Sequence, residues 1–149
     1  TGGKGGDTLT GNGGNDKFVF AAGDSSIGTG TFDTITDFVA NTWGNGTGGA
    51  AGTEADLSDA TKVTGDVLKF SVVGGVNQAK GFKVFVASSA ADATTFLANT
   101  ASADATQASA ALDSTTNKLY VDVSGDGVTD FYISLTGVTT ITAAAFELV

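Results

Sequence analysis

Residues 2–20 read GGKGGDTLTGNGGNDKFVF. The stretch divides into two nine-residue units, GGKGGDTLT at 2–10 and GNGGNDKFV at 11–19. Both fit the pattern GGxGxDxUx, in which U is a large apolar residue. The first unit fits at every fixed position. The second carries Asn12 where the second glycine belongs, and asparagine also tolerates left-handed backbone angles. Leu9 and Phe18 fill the apolar position. Each unit is expected to spend its first part on a turn and its last on a short strand, so that stacked units bury the apolar column and align the aspartates.

The aspartates carry the pattern beyond residue 20. Asp7 and Asp16 are nine residues apart, as are Asp24 and Asp33, and both Asp7–Asp24 and Asp16–Asp33 span seventeen. A coil of two units is about eighteen residues long, so Asp24 and Asp33 are expected to continue the two columns. The chemistry suits a hard cation. Calcium takes six to eight oxygens from carboxylates and main-chain carbonyls, and glycine lets consecutive carbonyls converge without a Cβ in the way. The candidate calcium ligands are Gly3, Gly5, Asp7, Asn12, Gly14, Asp16, Asp24 and Asp33. A flexible linker would have no reason to hold aspartate and a large apolar residue in fixed phase.

Composition narrows the alternatives. The 149 residues include no cysteine, histidine, methionine, proline or arginine, and 7 lysines stand against 16 acids for a net charge of −9. Without cysteine there is no disulfide, and without histidine there is no zinc finger, imidazole base or Ser-His-Asp triad. The negative balance argues against nucleic acid and against anionic membrane surfaces. No apolar run reaches membrane-spanning length, and a hydrophobic fraction of 41% suits a folded domain. A chain that opens directly on a repeat reads as the C-terminal part of a longer one.

After the repeats the texture is that of a β protein. Strands are expected at Thr34–Val39, at Val67–Val73 with Leu68, Phe70 and Val72 on one face, and at Phe82–Val86 with Phe82, Val84 and Val86 on one face. Residues 117–136 read as a hairpin: Leu119, Val121 and Val123 share one face, Phe131, Ile133 and Leu135 share another, and the turn between them is SGDG. Residues 41–65, rich in Gly, Thr, Ala and Asp, read as a long surface loop. In the alanine-rich 89–112 stretch, Ser89 is expected to cap a helix carrying Phe96 and Leu97, and Ser102 a second helix ending near Leu112. Thr142 is expected to cap a last helical turn through Ala143–Ala145. The fold class is therefore mainly β: a short parallel roll of nonapeptide repeats continuing into an antiparallel β domain, with a small alanine-rich helical segment. The expected divisions are 1–40 for the end of the roll and its closing strand, 41–65 for the loop insertion and 66–149 for the C-terminal β domain, all in one folded unit.

Other constellations are weaker. Asp122, Ser124, Asp126, Gly127 and Asp130 imitate the start of an EF-hand loop, but Ile133 stands at the twelfth position, where a bidentate glutamate is needed; the segment reads as a polar hairpin turn. No pair of carboxylates sits in an apolar setting suited to acid–base work, so no catalysis is expected of this chain. Trp43 reads as a loop anchor. The lysines are scattered, with Lys80 and Lys83 the closest pair, and read as a solvated surface.

GGKGGDTLTGNGGNDKFVF resembles the calcium-binding repeats of RTX proteins, which bacteria export by type I secretion. FVFAAGDSSIGTGTFDTITDF is similar to the segment after the last repeat in serralysin-type proteases, DVLKFS at 66–71 to the next strand of that family, and LYVDVSGDGVTDFYISL to its penultimate hairpin. The ending LTGVTTITAAAFELV resembles RTX-type bacterial S-layer proteins. The resemblance implies a parallel β-roll, calcium binding at the places of Asp24 and Asp33 as well as in the repeats, a secreted, extracellular or cell-surface location, and a C-terminal signal read by the type I secretion apparatus. It also admits a different class of function: a module that binds cell-surface polysaccharide, like the repeat modules of alginate-modifying enzymes, or one that self-assembles in an S-layer or adhesin. Polysaccharide modules for acidic polymers favour basic grooves, and this chain has no arginine.

Overall fold

Four aspartates stand at the head of the first four strands. In the computed structural model, which describes residues 1–28, 31–40 and 65–149, strand β1 is Thr8–Leu9, directly after Asp7, and β2 is Lys17–Phe20, directly after Asp16. Strand β3 is Asp33–Ile35 and β4 is Val67–Phe70, directly after Asp66. In each, Asp–x–apolar sets the aspartate at the junction of loop and strand and sends the apolar residue, Leu9, Phe18, Ile35 or Leu68, towards the core. The expected 41–65 loop lies, except for Gly65, outside the described residues.

These strands alternate between two sheets. β1 pairs in parallel with β3, and β2 in parallel with β4. The chain thus coils, with one side of each coil laid in one sheet and the other side in the second. The C-terminal half continues both sheets. Strand β5 is Phe82–Ala87, β6 Ala108–Asp113, β7 Lys118–Asp122, β8 Phe131–Leu135 and β9 Phe146–Leu148. One sheet runs β1-β3-β8-β7-β6-β5 and the other β2-β4-β9. Strands β6, β7 and β8 are antiparallel neighbours, whereas β3–β8, β4–β9 and β5–β6 are parallel. The C-terminal part is therefore a mixed arrangement rather than an antiparallel domain. Parallel neighbours need a long crossover, and helix α1, Ala90–Ala103, supplies it between β5 and β6.

The core lies between the sheets. Phe18, Phe20, Ile35, Leu68 and Phe70 come from the first four strands and meet Leu119, Val121, Phe131, Ile133, Leu135 and Phe146 from the second half. Phe70, fully buried, is the hub: its ring centroid lies 5.4 Å from Phe20, 5.4 Å from Phe82, 5.5 Å from Phe131 and 6.2 Å from Phe146. Burying one such ring contributes about 1.5–3 kcal/mol. This cluster joins repeat strand to terminal strand, so the roll and the C-terminal segment stabilise each other.

The alanine-rich stretch divides differently from expectation. The first helix forms as anticipated: the Ser89 hydroxyl accepts the Asp92 N–H at 3.2 Å, and Asp92 places negative charge in the first turn. Its buried positions, Ala93, Leu97 and Thr100, follow helical spacing. The second helix does not form. Residues 108–113 are strand β6, with Ala108, Ala110 and Leu112 facing the main core and Ala111 facing α1 and Tyr120. Alanine's helix preference is worth only tenths of a kcal/mol per residue; a buried slot between two packed layers, where a small side chain is needed on both faces, outweighs it.

Elsewhere the strands are shorter than expected, β3 ending at Ile35 and β4 at Phe70. On β5, Phe82 is buried but Val86 is exposed. The hairpin forms as expected, with Leu119 opposite Ile133 and Val121 opposite Phe131. Its turn staples itself: the Asp122 carboxylate accepts the N–H groups of Gly125 (2.6 Å) and Gly127 (2.9 Å), and Asp130 accepts those of Val123 (2.7 Å) and Ser124 (3.0 Å). Residues Ala143–Ala145 form a 3₁₀ turn without a capping bond from the Thr142 side chain. The chain end is tied in: the Val149 N–H donates to the Phe70 carbonyl at 3.0 Å and the Val72 N–H to the Val149 carbonyl at 3.2 Å. No helix among the described residues is long and apolar enough to cross a membrane.

Candidate functional site

The two repeat turns share one backbone conformation. Gly3 and Asn12, nine residues apart, have φ of 87° and 68°, and Gly5 and Gly14 have φ of 114° and 121°. Left-handed angles recur at equivalent positions because each turn must reverse the chain and present its main chain to the aspartate that follows. The leading glycines match as well. A Cβ on Gly2 would lie 2.6 Å from Asp7 Oδ2, and one on Gly11 would lie 2.6 Å from Asp16 Oδ2. Each aspartate thus folds back beneath its own turn, into space that only glycine leaves open.

Hydrogen-bond register, rather than the seventeen-residue count, decides which aspartates are neighbours. The Asp7 N–H donates to Asp33 Oδ1 at 2.8 Å, and the Thr34 N–H donates to the Asp7 carbonyl at 2.8 Å. The Asp16 N–H donates to Asp66 Oδ1 at 2.8 Å, and the Val67 N–H to the Asp16 carbonyl at 2.9 Å. The columns are therefore Asp7–Asp33 and Asp16–Asp66, separated by 26 and 50 residues. Asp24 does not continue the Asp7 column. The loops joining the later strands are longer than a repeat turn, so counting in nines loses phase after residue 20.

The eight expected ligands fall into two groups on opposite edges of the coil. Gly3, Gly5, Asp7, Asp24 and Asp33 share one edge: the Asp24 carbonyl accepts the Gly5 N–H at 3.2 Å, and the Asp24 carboxylate accepts the Ala21 N–H at 2.9 Å. Asn12, Gly14 and Asp16 lie on the other edge. Two acids that sequence reading missed join them there. Asp37 accepts the N–H groups of Gly11 (2.9 Å) and Asn12 (2.7 Å), and Asp66 holds Asp16 with one oxygen and the Val39 N–H with the other at 2.9 Å. The signal for Asp66 was present in the sequence: Asp66-Val-Leu repeats the Asp–x–apolar step of Asp7-Thr-Leu, Asp16-Lys-Phe and Asp33-Thr-Ile.

Three carboxylate oxygens in these groups, Asp7 Oδ2, Asp16 Oδ2 and Asp33 Oδ2, are buried without a hydrogen-bond partner. Asp33 is itself fully buried. Burial raises its pKa above the ordinary carboxylate value; the bond from the Asp7 N–H opposes the rise, and the negative charges of Asp7 and Asp24 reinforce it. A buried carboxylate oxygen with no donor, beside two further acids, is a position that a hard cation would satisfy. The residues thus fit calcium in type. No group of three or more acidic side chains is gathered at metal-holding distance among the described residues, so any ion here would draw part of its shell from the glycine-rich main chain.

Other ion pairs among the described residues tie strands and loops together. Lys17 and Lys69, far apart in sequence, meet on Glu147 at 2.7 and 3.1 Å across the outer face of the three-stranded sheet. Burial pushes the Glu147 carboxyl up, but hydrogen bonds from both lysines outweigh it and hold the group below its usual value. Lys80 is bonded to Asp104 and Thr106. In comparisons with known proteins, no family model and no curated protein matches the chain.

Proposed function

We propose that this chain is a calcium-dependent, non-catalytic module of a secreted protein of the RTX type. The observation that carries the reading is the matched pair of turns: the same left-handed positions, the same leading glycine and the same partnerless aspartate oxygen occur twice, nine residues apart. On one edge Asp7 and Asp33, with Asp24 and the carbonyls of Gly3 and Gly5, would hold one ion. On the other, Asp16 with the main chain of Asn12 and Gly14 would hold a second.

The residues' own energetics supply the mechanism. Without a cation, the buried Asp33 carboxylate faces the charges of Asp7 and Asp24, and the glycine-rich turns lose more conformational entropy on ordering than other residues would. Ordering the repeat edge without a cation is then costly. Calcium that binds only the ordered turns converts its binding free energy into folding free energy. Extracellular calcium modules bind at about 10⁻⁴–10⁻³ M, so such a chain stays open in a low-calcium cytosol and closes outside. An open chain suits a type I export channel, and within residues 137–149 the side chains of Val138, Ile141, Ala145 and Phe146, which the folded state buries, are available for recognition only while it is open.

Circular dichroism in chelator and in millimolar calcium tests the calcium reading. β content and melting temperature rise with calcium, whereas magnesium, which demands a small octahedral shell, substitutes poorly. An unchanged spectrum and melt would refute it. For the export role, deletion of residues 137–149 abolishes secretion through a type I apparatus; normal secretion of the truncated chain would remove that part of the proposal.

A further inference from the structure

Asn12-Gly13 is exposed on the second repeat turn. Asparagine followed by glycine is the dipeptide most open to intramolecular cyclisation, because glycine presents no side chain to shield its main-chain nitrogen. Three features of the fold bear on this pair. Asn12 is held at φ 68°. Its N–H and that of Gly11 are both anchored on Asp37, at 2.7 and 2.9 Å. Around Gly13 a Cβ would meet nothing within 4 Å, so the surroundings do not screen the reacting amide.

From this geometry we infer that Asn12 is a deamidation site whose reactivity is gated by closure of the repeat turn; the inference rests on the calcium reading above. The Gly13 nitrogen, losing its proton, bonds to Asn12 Cγ. The Cγ–Nδ2 bond breaks, and ammonia leaves with that proton. Water then opens the five-membered imide. Addition at Cγ leaves aspartate at position 12, and addition at the main-chain carbonyl carbon leaves isoaspartate. No oxidant or reductant is involved. Cyclisation requires the Gly13 nitrogen to reach Cγ, and the bonds from the Gly11 and Asn12 N–H groups to Asp37 limit the movement of Asn12 while the turn is closed. The reaction therefore runs through the open turn. Calcium that closes the turn slows it in proportion to the open population, about a hundredfold at a calcium concentration of one hundred Kd.

The product acts on the same site. Isoaspartate routes the main chain through the side-chain carbon and lengthens it by one atom between Gly11 and Gly14. That spoils the spacing at which the turn addresses Asp16. Aspartate adds only a charge.

The experiment ages the whole chain in mildly alkaline buffer, with chelator or with saturating calcium. Peptide mapping by mass spectrometry then separates position 12 from the chain's other Asn-Gly pair at 45–46. The expected result is an amide-to-acid mass gain and isoaspartate at position 12 in chelator, reduced at least about tenfold by calcium. Gly13→Ala, which the open space accommodates, slows the reaction at position 12 in chelator while calcium-induced folding persists. Aged protein loses calcium-induced β structure in proportion to its isoaspartate. Absence of modification at position 12 in chelator overturns the inference. So does an equal rate with and without calcium in protein whose dichroism still responds to calcium, which leaves the calcium module standing. A chain whose fold ignores calcium overturns both.

Discussion

Replacing Asp33 with asparagine separates a cation ligand from a structural aspartate, because the two roles predict opposite signs. The asparagine side chain keeps the Oδ1 acceptor that receives the Asp7 N–H at 2.8 Å, so the strand junction survives. What it removes is the charge on a buried side chain whose second oxygen has no partner. The folded-state pKa of Asp33 lies above its ordinary value of 3.8, through burial and the neighbouring Asp7 and Asp24 charges. A raised pKa means that stability is fully present below the unfolded pKa and is lost as pH rises through the folded one. At neutral pH the calcium-free wild type has lost that increment, whereas the amide of the variant never carries the charge. In chelator at neutral pH, Asp33→Asn therefore melts above the wild type, and the difference disappears on acidification below about pH 4. In calcium the order inverts. One site filled at one hundred times its Kd stabilises by about 2.7 kcal/mol. At about 2–4 °C per kcal/mol for a chain of this size, that is a rise of about 5–11 °C, and the variant forfeits it while keeping the contribution of the Asp16 edge. Differential scanning calorimetry with and without calcium reads both signs. A variant that melts lower than wild type in chelator, or that keeps the full calcium shift, refutes the reasoning.

Three further outcomes follow from the same geometry. Gly2→Ala and Gly11→Ala each drive a methyl to 2.6 Å from the carboxylate folded beneath, so both raise the calcium needed for half-maximal folding; isothermal titration checks this, and unchanged affinity in both would show that those carboxylates do not bind the ion. Phe70→Ala empties the centre of the aromatic cluster and costs about 3–5 kcal/mol, measured as a lowered denaturant midpoint with or without calcium. Asp104 has its carboxyl held down to about 2, chiefly by the bond from Lys80 and then by Thr106. Its contribution is present above the ordinary value of 3.8 and fades as pH falls towards 2; the melting difference between wild type and Asp104→Asn is flat at neutral pH and closes across that acid window.

What the sequence determined by itself was local. The nonapeptide phase foretold the turns, because glycine and asparagine are the residues that adopt positive φ most readily, and the observed angles at Gly3, Gly5, Asn12 and Gly14 repeat as the letters do. Alternating apolar residues foretold the β7–β8 hairpin, and Ser89 foretold the start of α1. All of these are decided within a few residues by sterics and short-range hydrogen bonds. Only the tertiary structure decided the long-range pairings. Asp7 meets Asp33 rather than Asp24, and Asp16 meets Asp66, because strand register is set by packing the apolar column between two sheets, and intervening loops of irregular length erase the count. Burial likewise overrode propensity in the alanine-rich segment, where β6 needed small side chains on both faces. Asp37 became part of a repeat turn for the same reason: the strand beside it brought the Gly11 and Asn12 N–H groups within reach, and no local rule of sequence contains that neighbour.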